Sequence, residues 1–202
     1  MKHSATPTLR TLIAAILILA CANGQAQGES VVRPQAADGR DDALHASMEA
    51  RRHVEGGQKL EREKNLSGAI ASYSRAASLV PDSAEAHFAL GEALTKAARD
   101  QEALVRYTLT VIIAPKHRRA LHSRALLCLR MKLYAQARKD LSRLIDLMPG
   151  VADYHYQRAT TLMKMKSVTE AYHDFLRAHE LDSKYPRPTL IWKKDSVPKK
   201  VV

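Results

Sequence analysis

A period of 34 residues runs from Ala50 to Tyr185 and constrains this chain more than any other feature. Pro81, Pro115 and Pro149 stand at that interval, with Ser183 in the fourth place. Ala69, Ala103, Ala137 and Ala171 keep the same spacing, as do Tyr73, Tyr107, Leu141 and Phe175. Leu60, Leu94, Cys128 and Leu162 form a fourth column, and Gly57, Gly91, Ala125 and Ala159 a fifth, all small. Five columns in one register across four units do not arise by chance. A fixed period of this size marks an array of like helical parts.

Each unit reads as two amphipathic helices. In the second, Phe88, Leu90, Gly91 and Leu94 fall on one face of a first helix. Ala103, Leu104, Tyr107 and Val111 fall on the facing side of a second. Spacings of three and four are the helical signature. The small column predicts a close approach of two backbones, with the alanine column opposite. The aromatic or leucine column is expected to fill the gap between neighbouring units. Proline lacks an N–H and disfavours helix just before it, so the proline column ends each second helix. Asp82 and Ser83 then offer a cap for the next helix. No unit can bury both its faces alone, so the stack is the fold.

These columns resemble the tetratricopeptide repeat family, over residues 50–185 without insertion or gap. The resemblance implies an all-α, right-handed solenoid of four helix hairpins, units 50–83, 84–117, 118–151 and 152–185. There are departures. The large aromatic expected early in each first helix is replaced by His53, His87, Leu121 and His155. A leucine place is held by Gly56, Arg124 and Arg158 in units one, three and four. The Gly56–Gly57 pair weakens the first helix by roughly 1 kcal/mol per glycine relative to alanine, which predicts that unit one is the loosest.

Residues 1–22 read as an export signal. Lys2, His3 and Arg10 precede the apolar run Leu12–Ala20, and no acid appears before Glu29. The run is too short for a stable bilayer span. Two cleavage readings stay open. Small residues around Cys21–Ala22 or at Ala26 suit a signal peptidase; Ile18-Leu19-Ala20-Cys21 resembles a bacterial lipoprotein box, with lipidation at Cys21. Residues 23–40 have the composition of a flexible linker. A helical pattern starts at about Asp41, with Asp42 as a candidate cap, and runs into the first repeat helix. The repeat domain is therefore read as 41–185. Residues 186–202 are a basic tail or a short cap in which Leu190, Ile191 and Trp192 could fold back over the last hairpin.

The chain has 32 basic and 21 acidic residues, net +11. Unit three concentrates the excess, with eight basic residues against Asp140 and Asp146. Such a patch favours an acidic partner or a membrane surface, or is simply a solvated face. Nucleic acid fits poorly, because the basic residues are not interleaved with stacking aromatics. Cys128 falls in the leucine column and reads as a buried apolar residue. His53, His87 and His155 lie on successive units, too far apart to share one metal ion. No metalloprotease, phosphate-loop or nucleophile-elbow motif occurs. The reading is a non-enzymatic chain without metal or cofactor.

The resemblance further implies that first helices line a concave groove for a partner polypeptide. The corresponding places are Val54, Gln58, Phe88, Glu92, His122, Leu126, Tyr156 and Thr160, flanked by Arg119. Phe88, His122 and Tyr156 would form an aromatic stripe suited to an extended or helical peptide. Chaperone-binding members hold a C-terminal carboxylate with lysine, asparagine, asparagine, lysine and arginine. Those places here are Val54, Gln58, Ala89, Arg119 and Ser123, so the clamp is mostly absent. The expected function is a protein-binding scaffold, exported to a periplasm or an outer membrane, within an envelope assembly. The alternatives are a helper of the ER lumen or a secreted one, with Asn65 as a glycosylation acceptor, and a self-assembling structural protein.

Overall fold

The structure, a computed structural model, describes residues 39–188. The export signal, the linker up to residue 38 and the Leu190–Trp192 patch lie outside the described residues. The chain divides into two units, Met1–Ala43 and Leu44–Val202. Of the first, only residues 39–43 are described, as the start of a helix. The second holds all four repeats.

The described residues are all-α. The helices are α1 (Gly39–Arg62), α2 (Leu66–Leu79), α3 (Ala84–Lys96), α4 (Asp100–Ile113), α5 (Arg118–Arg130), α6 (Tyr134–Leu147), α7 (Ala152–Lys164) and α8 (Val168–Leu181). From α2 onward each packs on the next, and α3 also meets α5. Odd-numbered helices are the first of each hairpin and even-numbered ones the second. α1 runs unbroken into the repeats as expected, but it starts before Asp42, which with Asp41 sits in the first turn instead of capping it.

The small column makes room for the aromatic column of its own unit. A Cβ placed on Gly91 would stand 2.7 Å from the Tyr107 ring, and one on Gly57 closer still to Tyr73. Units three and four pair Ala125 with Leu141 and Ala159 with Phe175 at the same places. The expected gap-filling between units is therefore, first of all, a contact within each hairpin. Ala69, Ala103, Ala137 and Ala171 are completely buried, as are Leu121 and Leu141. Burying a leucine-sized side chain contributes about 1.5–3 kcal/mol.

One turn geometry joins the helices of every hairpin. Asn65, Arg99, Leu133 and Ser167 donate their N–H to the carbonyls of Leu60, Leu94, Cys128 and Leu162, at 2.7–2.9 Å. The residue before each donates to a carbonyl three positions back. This double bond is the Schellman closure of a helix, which needs one left-handed residue. That residue is Lys64, Ala98, Lys132 or Lys166, at φ 57–62°. None is glycine, and left-handed backbone costs an L-residue about 1–2 kcal/mol.

The turns between hairpins are also alike. Ser83, His117 and Val151 donate N–H to Val80, Ala114 and Met148 at 3.0–3.3 Å. Ser83 caps α3 as expected, its Oγ accepting from Ala86 N at 3.2 Å. His117 caps α5 through Nδ1, which accepts from Ala120 N. Two of the three histidines that replace the expected aromatic hold a proline carbonyl. His87 Nε2 meets Pro81 O at 3.0 Å and His155 Nε2 meets Pro149 O at 3.1 Å. Unit three has Leu121 there, and Arg143 donates to Pro115 O instead, at 2.9 Å. The histidine thus clasps the turn that the proline made.

Gly91→Ala should lower stability by about 1–3 kcal/mol through overpacking against Tyr107, although alanine favours helix by about 1 kcal/mol. In a Tyr107→Leu background, which copies the Ala125–Leu141 pair, most of that loss should disappear. Thermal denaturation of the four chains measures the coupling. A second expectation concerns pH. Burial holds the His87 imidazole below its ordinary 6.5. The folded chain then binds fewer protons than the unfolded one, so this contribution is complete above about 6.5 and declines as pH falls through the depressed value. Denaturant midpoints between pH 8 and 5 should fall more steeply for the native chain than for His87→Gln.

Candidate functional site

Two adjoining clefts open along the first helices. One, between α1 and α3, is lined by Gln58, Glu61, Arg62, Lys64, Leu66 and Lys96 and measures about 610 Å³. The other, about 310 Å³, lies between α3 and α5. Its walls are Glu92, Thr95 and Lys96 on one side and Ser123, Leu126 and Arg130 on the other, with Tyr107 beneath. Lys96 belongs to both clefts. Thr95 Oγ1 donates to Gly91 O at 2.8 Å and meets the Tyr107 hydroxyl at 3.1 Å. Burial pushes the Tyr107 phenol above its ordinary 10.0, so it stays neutral. Leu126 is 44% exposed, an apolar side chain held open to solvent between charged neighbours.

Of the residues expected to line a groove, Gln58, Glu92 and Leu126 reach these clefts. Val54 and Phe88 do not stand on an open face; they are 6% and 5% exposed. Of the expected aromatic stripe, Phe88 is thus buried, while His122 and Tyr156 are half-buried and have ring neighbours. Phe88 stacks on His117 at 4.8 Å, with the Arg119 guanidinium 4.7 Å above its ring. His122 lies 5.4 Å from Tyr154 and its Nε2 is 3.3 Å from Gln157 Oε1. Tyr156 packs between Phe175 and Tyr185 at 5.4 and 4.8 Å. Thr160 donates to Gln157 O at 2.8 Å. Phe88 and His122 so reach the start of the next unit, at His117 and on α7, and Tyr156 reaches α8 and the turn after it. An aromatic half-buried at such a joint loses more water-exposed apolar area than one left in a groove.

Much of the charge around the clefts and in unit three is also engaged within the chain. Lys96 reaches Glu61 at 2.8 Å, Arg119 reaches Glu92 at 3.2 Å, and Arg130 reaches Asp100 at 2.9 Å. Arg138 stands 3.8 Å from Glu170, Arg143 bonds Pro115 O and Arg118 contacts Met148 Sδ. With Arg124, six of the eight basic side chains of that unit are engaged within the chain. The rim of the clefts therefore alternates in sign.

Beneath the face lies a feature that shows in the sequence only as a departure from the repeat pattern. Arg124 makes a bidentate pair with Asp140 on α6, at 2.7 and 2.8 Å, and donates to Thr108 on α4 at 3.3 Å. The two side chains are 7% and 1% exposed. Arg158 repeats the arrangement with Asp174 and Ser142, at 2.6, 2.7 and 3.1 Å. Each arginine so ties both helices of its own hairpin to the second helix of the preceding one. The spacing of sixteen residues, hydroxyl to arginine to aspartate, is the signal that could have found it. Among the described residues no group of His, Cys, Asp or Glu could hold a metal ion, and no helix is long and apolar enough to cross a membrane. Cys128 is fully buried, and burial pushes its thiol up to about 11.

Residues 59–97 match the family model for the TPR repeat. No curated protein matches the chain. Among solved structures, MamA from Desulfovibrio magneticus RS-1 is 18% identical, with a TM-score of 0.62 over 67% of this chain and 77% of that one. YrrB, described as a TPR protein with an unusual peptide-binding site, is 19% identical, with a TM-score of 0.62 over 73% and 77%. The first TPR of Spaghetti (RPAP3), bound to HSP90 peptide SRMEEVD, is 18% identical, with a TM-score of 0.54 over 59% and 97%. At such identities the likeness is one of fold.

Removing one partner of the buried pair should be costly. Asp140→Leu or Arg124→Leu alone should lose about 3–5 kcal/mol, because each strands a buried charge, while the double replacement by apolar residues should recover most of it. Equilibrium urea unfolding of the three variants measures this; a loss in the double variant equal to the sum of the two single losses would mean that the pair is not coupled.

Proposed function

We propose that this chain, a tetratricopeptide-repeat protein by its fold, is a scaffold that holds an extended stretch of a partner polypeptide along α3 and α5. The observation that carries the reading is the cleft around Leu126. An exposed leucine lies beside Thr95 and Ser123, with Glu92, Lys96 and Arg130 at the rim. Apolar anchorage at the centre and alternating charge at the edge suit a peptide of mixed sequence. A strongly acidic ligand is less well matched, since Arg119 and Arg130 already meet carboxylates. The carboxylate-clamp route used by chaperone-tail binders gains no support either. Val54 is buried and Arg119 is engaged with Glu92 and Phe88.

The setting we propose is the cell envelope of a bacterium, with the chain exported and either free in the periplasm or held by a lipid at Cys21. It rests on the basic start and apolar run of residues 1–22. The lumenal alternative keeps one physical point in its favour. Asn65 is exposed and caps α2 through Oδ1, which accepts from Gly68 N at 3.0 Å. A glycan would attach to Nδ2 and leave that cap in place. The mass of the mature chain separates the two, by acyl groups on Cys21 or by sugar on Asn65.

A photo-crosslinking residue at Leu126 should form a covalent adduct with a partner polypeptide in the native compartment. The same residue at Leu147, also exposed but on α6, should not. Adducts formed equally from both places, or from Leu147 alone, would overturn the assignment of the cleft.

A further inference from the structure

The first helix of every hairpin ends on a cation. Arg62, Lys96, Arg130 and Lys164 hold this place, one period apart. Two residues on, Lys64, Lys132 and Lys166 are the left-handed residues of their turns, with Ala98 in unit two. Equivalent turns of stacked units lie along one edge of the array. The two columns therefore make a basic edge at the hairpin tips. Its two halves differ in what accompanies the cations.

In units one and two the tips carry acids. Glu61 holds Lys96 at 2.8 Å, Glu102 holds Arg99 at 2.7 Å, and Glu63 lies 3.9 Å from Lys59. Asp100 binds Arg130 across the joint to unit three. In units three and four the places of Glu61, Glu63 and Asp100 are apolar or aromatic. They read Leu129, Met131 and Tyr134, then Met163, Met165 and Val168. The place of Glu102 holds Gln136 and then Glu170, which stands 3.8 Å from Arg138. Lys132, Lys164 and Lys166 are exposed, and the ion pairs at these two tips, among the described residues, are those of Arg130 and Arg138. Leu133, beside Lys132 at the crest of the turn, is 42% exposed.

We propose that the hairpin tips of units three and four rest on an anionic lipid surface, with Lys132, Lys164 and Lys166 at the phosphates and Leu133 dipping below them. A membrane interface rewards this mixture. The ammonium groups gain from the negative surface potential, and the apolar side chain between them gains by leaving water. Lysine stems are themselves apolar, so the heads can reach phosphates while the stems lie on the boundary. An acidic polypeptide would use the same lysines but would offer Leu133 no apolar layer. None of these four residues lines the clefts along α1, α3 and α5, so lipid and partner polypeptide occupy different surfaces.

Leu133→Cys labelled with nitrobenzoxadiazole tests this, in a full chain carrying Cys21→Ser so that no lipid anchor contributes. Cys128 does not compete for the label, being fully buried with its thiol pushed up to about 11. On vesicles containing phosphatidylglycerol the label should brighten and move to the blue, and salt should reverse the change. Vesicles of phosphatidylcholine alone should give none. The same label at Leu147→Cys, at the far end of α6 and about 20 Å away at 1.5 Å per residue, should stay as in water. In vesicle flotation, replacing Lys132, Lys164 and Lys166 together by glutamate should weaken partition about tenfold or more, with helical circular dichroism unchanged. An unresponsive label at Leu133 on anionic vesicles would overturn the proposal. So would equal changes at both labels, because another part of the chain, residues 1–22 included, would then carry the binding. A Leu133 label that answers polyglutamate as it answers vesicles would also overturn it, and would assign the edge to an acidic polypeptide.

Discussion

Two helices of a hairpin can close to the thickness of one ring only if one of them has almost no side chain at the crossing. That requirement is met in every unit, by Gly57 beneath Tyr73, Gly91 beneath Tyr107, and alanine opposite Leu141 and Phe175. The larger ring goes with glycine and the slimmer side chains or looser end with alanine. The rest of the unit is built around this contact. Helices this close need a short connection, and the Schellman closure supplies one. It is kept even where Lys64, Ala98, Lys132 and Lys166 must adopt left-handed backbone at about 1–2 kcal/mol each. Close packing along the hairpin offsets that strain.

Apolar stacking alone would tolerate some sliding of one hairpin on the next. The triads of Thr108, Arg124 and Asp140 and of Ser142, Arg158 and Asp174 do not. An arginine taken out of water needs its carboxylate and its further acceptor at fixed distances, and any other register strands a charge. Polar groups in the core thus set the alignment of units two, three and four, while apolar columns supply the bulk of the stability. Leu90 takes the arginine's place in unit two, so that joint rests on apolar packing and the solvent-facing Lys96–Glu61 pair in place of a buried triad.

The same economy shapes the candidate recognition face. Aromatic side chains are strong anchors for a groove, yet Phe88 is buried and His122 and Tyr156 are half-buried against neighbouring rings. What remains open is Leu126 with hydroxyls and paired charges around it. Exposed ion pairs such as Arg119–Glu92 contribute little to stability. Their effect is to reduce the field that the basic excess of unit three projects beside the clefts.

The sequence by itself determined the period, the helix pairs, their ends and the identity of the buried columns. Those are local matters: helical periodicity, proline stops and the Ser83 cap act within a few residues. It also showed that His87, His155, Arg124 and Arg158 were departures, without showing their use. Only the tertiary structure decided that the histidines hold proline carbonyls, that the arginines pair with aspartates sixteen residues on, and that Phe88 of the expected stripe is buried. It alone showed the left-handed turn, because neither lysine nor alanine announces one. Side chains from different helices meet at distances and angles that depend on how the hairpins stack. A spacing along the chain is blind to that until the stack exists.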